Sequence, residues 1–354
     1  MSETDKTNNG ASYEQAGVSI EAGDRAVELF APLAKKASRP EVRGGLGGFA
    51  GLFALGEYEK PLLAASSDGV GTKLAVAQMM DKHDTIGRDL VAMCVDDLVV
   101  CGAEPLFMQD YIAIGKVIPE KVADIVRGIA DGCQEAGCAL LGGETAEHPG
   151  VMEEQEYDVS ATAVGVVEEA KVLGPDRVRP GDVVIAMASS GLHSNGYSLA
   201  RHVLLEQAGL PLDEELDELG RTLGEELLEP TRIYAKDCLD LASECEVHTF
   251  AHITGGGLAA NLARVIPEGI VAELNRSSWS PAPIFRTIAH YGHVSQEEME
   301  KTFNMGVGMV AVVAEDDAER ALAMLTARHL DAWVLGEVRP GEGGAVLRGE
   351  YQKH

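Results

Sequence analysis

The chain has 354 residues, 45% of them apolar, which is enough to bury two cores of ordinary size. Its 57 Asp plus Glu outnumber 29 Lys plus Arg, for a formal net charge of −28, and no basic face is visible that could replace the counterions of a nucleic acid. The opening MSETDKTNNG is polar and no apolar run approaches the ~18 residues of a membrane span, so a cytoplasmic protein with neither nucleic acid nor membrane as partner is expected.

Six cysteines lie without metal-ligand spacing and read as buried thiols of a reducing compartment. The acidic excess is concentrated in VMEEQEYD, LDEELDELG, EELLE and AEDDAE, which read as solvated faces, with adaptation to high salt left open.

Residues 1–12 are polar and are expected to be disordered. From Tyr13 the pattern is mixed α/β. AGDRAVELFAPLAKKA predicts a helix that stops before Arg39-Pro40. The glycine-rich GGLGGFAG follows, then PLLAAS, a short apolar run that reads as a buried strand delivering Asp68 at its end. DTIGRDLVAMCVDDLVVCGA predicts a helix that is apolar nearly all round and therefore largely buried. A strand at PLFMQDYIAI, a helix from Pro119 to about Ala136, a strand at CALL running into GGETAEHPG, and a strand at DVSATAVGVVEE complete this half.

EEAKVLGPDRVRPGD is the best candidate for a linker, dividing the chain into domains over 13–171 and 172–354. Beyond it the alternation resumes. Strand DVVIAMAS leads through SGLHSNG to helix YSLARHVLLEQ, and strand AHIT leads into Gly255-Gly256-Gly257 and a helix. GVGMVAVV, AERALAMLTAR and AWVLGEV then read as strand, helix and strand. No repeat is present, and two α/β domains are the simplest account.

The glycine-rich stretches GGLGGFAG, DGVGTK, GGET and ITGGG stand where strands or helices end. Each alone is most simply a tight turn, but glycine also lets backbone N–H groups approach an anion. The carboxylates point to the kind of phosphate chemistry. On the helix around 86–101, Asp97 falls on the stripe of Ile86, Leu90, Cys94 and Cys101, whereas Asp96 shares a face with Arg88 and Asp89. A carboxylate on a buried stripe needs a cation or a donor network, so Asp97 more than Asp96 is expected to meet one, an internal ion pair being the plain alternative. Asp68 and Glu144 each follow a short strand at a glycine turn, where side chains of a parallel-type sheet converge at one edge.

Three oxygen ligands suit Mg²⁺, and Lys73 would serve as a point charge on the same phosphates. His193, just before a helix, is either an inert loop residue or a proton carrier and phosphate contact with a pKa near neutrality. His248 and His252 fall on one face of a strand but have no third ligand nearby in sequence, so a zinc pair is discounted.

YEQAGVSIEAGD, RPEVRGGLGGFAG, SDGVGTK, DTIGRDLVAMCVDDLVVCGAEPLF, GGETAEHPG, HSNGYSL, PTRIY, HITGGG and FNMGVGM, in this order, resemble the aminoimidazole ribonucleotide synthetase family over nearly the whole chain from Tyr13. The resemblance implies an N-terminal α/β domain that pairs across a homodimer into a β-barrel, a C-terminal α/β domain outside it, and ATP near the dimer interface. It implies an ATP-dependent cyclo-ligase that phosphorylates the formyl oxygen of formylglycinamidine ribonucleotide and closes the imidazole ring, with Mg²⁺ as cofactor and K⁺ as an open addition.

By motif, Asp68, Lys73, Asp97 and Glu144 are to line the metal and phosphate region, with Gly69, Gly71 and Thr72 beside them and Gly44, Gly45, Gly47 and Gly48 nearby. His193, Ser194, Asn195, Gly255, Gly256 and Gly257 are to face the ribonucleotide. Asp96, His148 and Leu192 depart from the asparagine, methionine and proline of the family pattern. Thiamine-monophosphate kinase, selenophosphate synthetase and a hydrogenase-maturation dehydratase share the superfamily, and a non-catalytic nucleotide binder is the rival of another class. The absence of a cysteine before Cys94 speaks against the selenophosphate reading.

Overall fold

The computed structural model describes residues 12–45 and 48–352. The disorder expected for the N-terminal tail therefore falls, apart from Ser12, outside the described residues, as does Gly47.

Helix α1 (Ile20–Lys36) starts earlier than its apolar pattern because the Ser19 hydroxyl accepts the Ala22 N–H at 3.2 Å and caps it. It ends before Arg39-Pro40 as expected. Strands β1 (Val42–Arg43) and β2 (Leu52–Phe53) pair on either side of the first glycine loop. Next come β3 (Pro61–Gly69), α2 (Leu74–Met79), α3 (Ile86–Val99), β4 (Glu104–Ile114), α4 (Pro119–Ala136), β5 (Ala139–Glu147) and β6 (Tyr157–Glu168). The four long strands form an open sheet in the order β3-β6-β4-β5. Helices α3 and α4 pack against each other and cover one face of it.

Three expectations change here. First, β3 is an edge strand and mostly exposed, with Leu63 65% accessible, because only one face of the sheet is covered. Second, the sheet is not of parallel type: β4 and β5 run parallel, but β6 is antiparallel to both β3 and β4. Third, Asp68 and Glu144 lie within strands rather than at turns, since β3 runs through Asp68 to Gly69 and β5 runs through Gly142 and Gly143.

The linker segment folds into two short 3-10 turns and is pinned at both sides, Leu173 N donating to Cys101 O and Gly174 N to His248 O. Beyond it lie β7 (Val183–Ala188), α5 (Tyr197–Arg201), a π-helical turn over His202–Gln207, β8 (Glu215–Leu216), β9 (Arg221–Thr222), α6 (Leu223–Leu227), α7 (Ala235–Glu244) and β10 (Val247–His252). They are followed by α8 (Gly257–Ala263), β11 (Ile270–Asn275), α9 (Pro283–Gly292), α10 (Gln296–Thr302), β12 (Val307–Val313), α11 (Ala318–Ala327), β13 (Ala332–Pro340) and β14 (Ala345–Arg348).

The second sheet has the order β10-β12-β7-β13-β11-β14. In β7, Val184 and Ala186 enter one apolar cluster while Ile185 and Met187 enter another. Burial on both faces explains why VVIAMA and VGMVAVV are continuously apolar instead of alternating. The larger cluster is continuous between the two halves, and α3 packs against α7 and β10 as well as its own sheet. That double packing explains why α3 is apolar nearly all round.

Candidate active site

Three of the sequence motifs meet along the seam between the halves. The Thr72 hydroxyl lies 3.0 Å from that of Ser198, joining DGVGTK to the helix after SGLHSNG. Asn195 Oδ1 accepts the Gly255 N–H at 3.0 Å, which ties SGLHSNG to ITGGG. Asn195 also rests on Met93 of α3, one helical turn before Asp97 and so on the same helix face. Gly71, Thr72, Asp97, Gly255 and Gly256 are exposed here, above a floor that includes Lys73 and His193. Gly257 must be glycine for two reasons: its φ is +74°, and an added Cβ would collide with the carbonyl of Glu300.

The expected assignment of the two α3 aspartates to faces is reversed. Asp96 is fully buried and accepts the Tyr234 N–H at 2.9 Å, whereas the Asp97 side chain is 45% exposed. A stripe through Ile86, Leu90, Cys94 and Cys101 presumes one buried face on α3, but α7 and β10 cover the face that Asp96 occupies. Asp97 does meet a donor network. Its Oδ1 lies 2.9 Å from His252 Nδ1, and its Oδ2 accepts from the Ser66 hydroxyl at 3.3 Å.

Burial alone would lower the His252 pKa, but the Asp97 hydrogen bond and the charges of Asp96, Asp97 and Asp68 outweigh it and raise it. Burial pushes the Asp68 carboxyl up; the Gly69 N–H opposes this and the nearby Asp97 charge adds to it. In the sequence His252 reads only as half of a discounted zinc pair, and its role at Asp97 does not show there. The sequence signal for it is its position at the end of a strand before a glycine loop, the same context as Asp68. His248 turns instead to Asp182 at 2.6 Å and Glu246 at 3.2 Å.

Lys73 and His193 lie deeper than expected. The Lys73 ammonium has no exposure and donates to Asp89 Oδ1 at 2.8 Å and to the carbonyls of His193 at 3.0 Å and Glu229 at 2.6 Å. Its three donors are thus spent on joining the halves, which replaces the free point charge read from the sequence. His193 is buried, and burial, with the charges of His252, Lys73 and Arg232, holds its pKa well below the ordinary value. A neutral ring, not one titrating near neutrality, is therefore the state at pH 7. Ser190 N donates to Nε2 at 3.1 Å, which leaves the ring proton on Nδ1. His193 Nδ1, His252 Nε2 and Asp96 Oδ2 are buried and unpartnered among the described residues.

Glu144 does not join Asp68 and Asp97. It sits in the register row of Tyr111, Ser160 and Gly69, and Asp68 in the next row with Ala161 and Asp110, so the two rows present side chains to opposite faces. Asp110, which sequence reasoning passed over, lines a groove of about 540 Å³ with Asp68 and a cleft of about 320 Å³ with Glu144. Burial pushes its carboxyl up to about 7. Gly48 and Gly142 to Thr145 line the smaller cleft beside α1, while Gly44 and Gly45 stand in open space. The glycine stretches therefore divide into a seam group and an α1/β5 group. Among the described residues no three His, Cys, Asp or Glu side chains are grouped to hold one metal ion, so the three-carboxylate set does not fit Mg²⁺ within the protomer.

The model for the N-terminal domain of AIR synthase related proteins matches residues 50–167, and that for the C-terminal domain matches 179–348. The chain is 55% identical over 335 residues to a phosphoribosylformylglycinamidine cyclo-ligase of Anaeromyxobacter dehalogenans, covering 94% of this chain and 96% of the relative. It is 52% identical over 328 residues to one from Syntrophotalea carbinolica, covering 92% and 94%. Among solved structures, thiamine-monophosphate kinase from Stenotrophomonas maltophilia superposes with a TM-score of 0.67 at 19% identity, over 92% of this chain and 96% of that one. The hydrogenase maturation protein HypE in complex with ATP gives 0.63 at 18%, over 94% and 92%. Likeness at that identity speaks for the fold alone. The order of motifs along the seam, the two-sheet architecture and the identity along the chain together place this protein in the AIR synthase related family.

Proposed function

We infer that the chain catalyses the ATP-dependent closure of formylglycinamidine ribonucleotide to aminoimidazole ribonucleotide, with release of ADP and phosphate, in purine biosynthesis. The observation that carries this reading is 52% to 55% identity, over more than nine-tenths of the chain, to cyclo-ligases of that name.

The chemical problem is that an amide oxygen is a poor leaving group. The formyl oxygen takes the γ-phosphoryl group of ATP and becomes an iminophosphate. An amidine nitrogen then attacks the formyl carbon, the new C–N bond forms as the C–O bond breaks, phosphate leaves with the oxygen, and a proton is lost from the ring. Positioning and charge stabilisation are the protein's part in such a transfer.

We assign the seam to this chemistry. Asp97, oriented by His252, and Asp68, three residues before Gly71, are the carboxylates we assign to the exposed Gly71-Thr72 turn, while Asn195 and Gly255 to Gly257 frame the ribonucleotide side. Ser194 supports that loop through Thr231, 3.2 Å between hydroxyls. His193, neutral and carrying its proton on Nδ1, is a hydrogen-bond donor at the floor and not a base. Mg²⁺ is the cation expected to accompany ATP, but Glu144, on the other face of the sheet, does not complete a ligand set with Asp68 and Asp97 within one protomer.

The boundary between the domains is taken near residue 172. The open sheet face with Leu63, Ser67, Tyr111 and Thr162 is the surface we assign to a homodimer closing a barrel. No helix among the described residues is long and apolar enough to cross a membrane, consistent with the cytoplasmic site we propose.

Incubation with formylglycinamidine ribonucleotide, ATP and Mg²⁺, with and without K⁺, should yield ADP and the aminoimidazole product. Thiamine monophosphate in place of the ribonucleotide should yield none. The opposite pattern would replace this reading with the kinase. Light scattering after size exclusion should give twice the mass of the chain.

A further inference from the structure

A second concave surface lies where the start of α3 meets the segment before α7, a cleft of about 610 Å³. Four cations line it: Arg88, Arg232, Lys236 and Arg328. Its three carboxylates are each neutralised. Glu135 pairs with Arg88, Asp237 with Arg328, and Glu229 with Arg221 from outside the cleft at 2.5 Å. Lys236 Nζ reaches only a neutral carbonyl, Gln134 O, at 3.2 Å. Arg232 is half-buried and has neither an ion pair nor a hydrogen bond among the described residues.

Two uncompensated cations thus share one cleft in a chain of net charge −28, where carboxylates to neutralise them are plentiful. Holding a half-dehydrated guanidinium without a partner is unfavourable, and a planar fork of donors in a concave site fits a tetrahedral oxyanion. Ser190 lines the same cleft, three residues before His193, so the cleft opens beside the seam loop. Along α3, Arg88 lies nine residues before Asp97, about 14 Å at 1.5 Å per residue, which separates this cleft from the carboxylates.

We propose that this cleft is a binding site for a phosphate dianion, held by Arg232 and Lys236. Two sources share that chemistry: the 5′-phosphate of the ribonucleotide substrate, and free inorganic phosphate. The first rests on the proposed activity and the second does not.

The test uses the full chain, the double variant Arg232→Gln/Lys236→Met, and Arg232→Lys as the conservative change, with circular dichroism and melting to establish folding. Inorganic phosphate is titrated by calorimetry, and KM is measured separately for the ribonucleotide and for ATP. Loss of about tenfold or more in phosphate affinity in the double variant, partly restored in Arg232→Lys, supports the site. An accompanying rise of about tenfold in KM for the ribonucleotide alone assigns it to the substrate's phosphate. Unchanged KM values with lost phosphate binding assign it to the free ion. The proposal is overturned if phosphate binding and both KM values are the same in the folded double variant, or if only the KM for ATP rises.

Discussion

His252 at the end of β10 donates through Nδ1 to Oδ1 of Asp97 on α3 across 2.9 Å, so one hydrogen bond joins the two halves at the exposed carboxylate of the seam. An amide at position 97 keeps the acceptor for His252 but removes the charge. Asp97→Asn is therefore expected to lower kcat by about 10² or more, the range seen when a preorganised electrostatic contact is removed. Asp96→Asn, changed below the surface, should stay within a few fold. Steady-state kinetics of the two variants decide this, and equal losses would remove Asp97 from the site.

Asp96 also makes a prediction about pH. Its carboxyl is pushed up to about 7, first by burial, with the His252 charge and the Tyr234 N–H opposing and Asp97 and Asp237 adding to the push. A folded-state pKa above the unfolded one means that the folded chain retains a proton which the unfolded chain releases. With respect to this group, stability is greatest below about pH 4, falls as pH rises to about 7, and is then lower by at most about 4 kcal/mol. Asp96→Asn keeps the acceptor for Tyr234 and removes that cost. It should melt above the parent at pH 8, with the gap closing toward pH 5. A gap independent of pH, or one of opposite sign, would refute the assignment.

The Lys73–Asp89 pair is fully buried, and Asp89 Oδ1 also accepts from Thr231 N at 2.7 Å and Thr231 Oγ1 at 2.6 Å. Removing the lysine leaves a buried carboxylate without its cation. Lys73→Met should cost about 3–5 kcal/mol of folding stability, and Lys73→Met/Asp89→Leu should cost less than the two single changes together. Urea denaturation measures both. A stable Lys73→Met protein whose KM for ATP alone has risen would return the lysine to the phosphates.

Gly308 in β12 faces Tyr234 and His193, and an added Cβ would collide with the Tyr234 hydroxyl and the His193 ring. Gly308→Ala should therefore destabilise by about 1–3 kcal/mol, through overpacking and loss of the Tyr234 hydrogen bond to Ala188 O, 2.7 Å in the parent. Gly174→Ala, which meets nothing within 4 Å and has an extended backbone, is the control and should be near neutral. Thermal melts that rank the two the other way would contradict this packing.

Element type was legible wherever one physical signal acted alone. Pro119 begins α4 and the left-handed Gly137 ends it, so its bounds match the expectation to the residue. The apolar circumference of α3 correctly announced burial, because only enclosure on all sides tolerates it. That same circumference hid which aspartate was exposed: with no polar face to orient the helix, four apolar positions could be joined into more than one stripe. Sites were harder. Asp68 and Glu144 sit in similar strand-glycine contexts, yet one row of register separates them onto opposite faces, and register depends on partner strands distant in the chain.

By itself the sequence determined the alternation of helices and strands and the set of motifs that identifies the family, because these depend on local periodicity, turn chemistry and the order of residues. Only the tertiary structure decided which side chains meet. It sank Lys73 and His193 under the seam, turned Asp96 inward and Asp97 outward, and brought His252 onto Asp97. Each of these outcomes depends on what a second element, more than a hundred residues away, lays against the first, and nothing in the local pattern of either element encodes that contact.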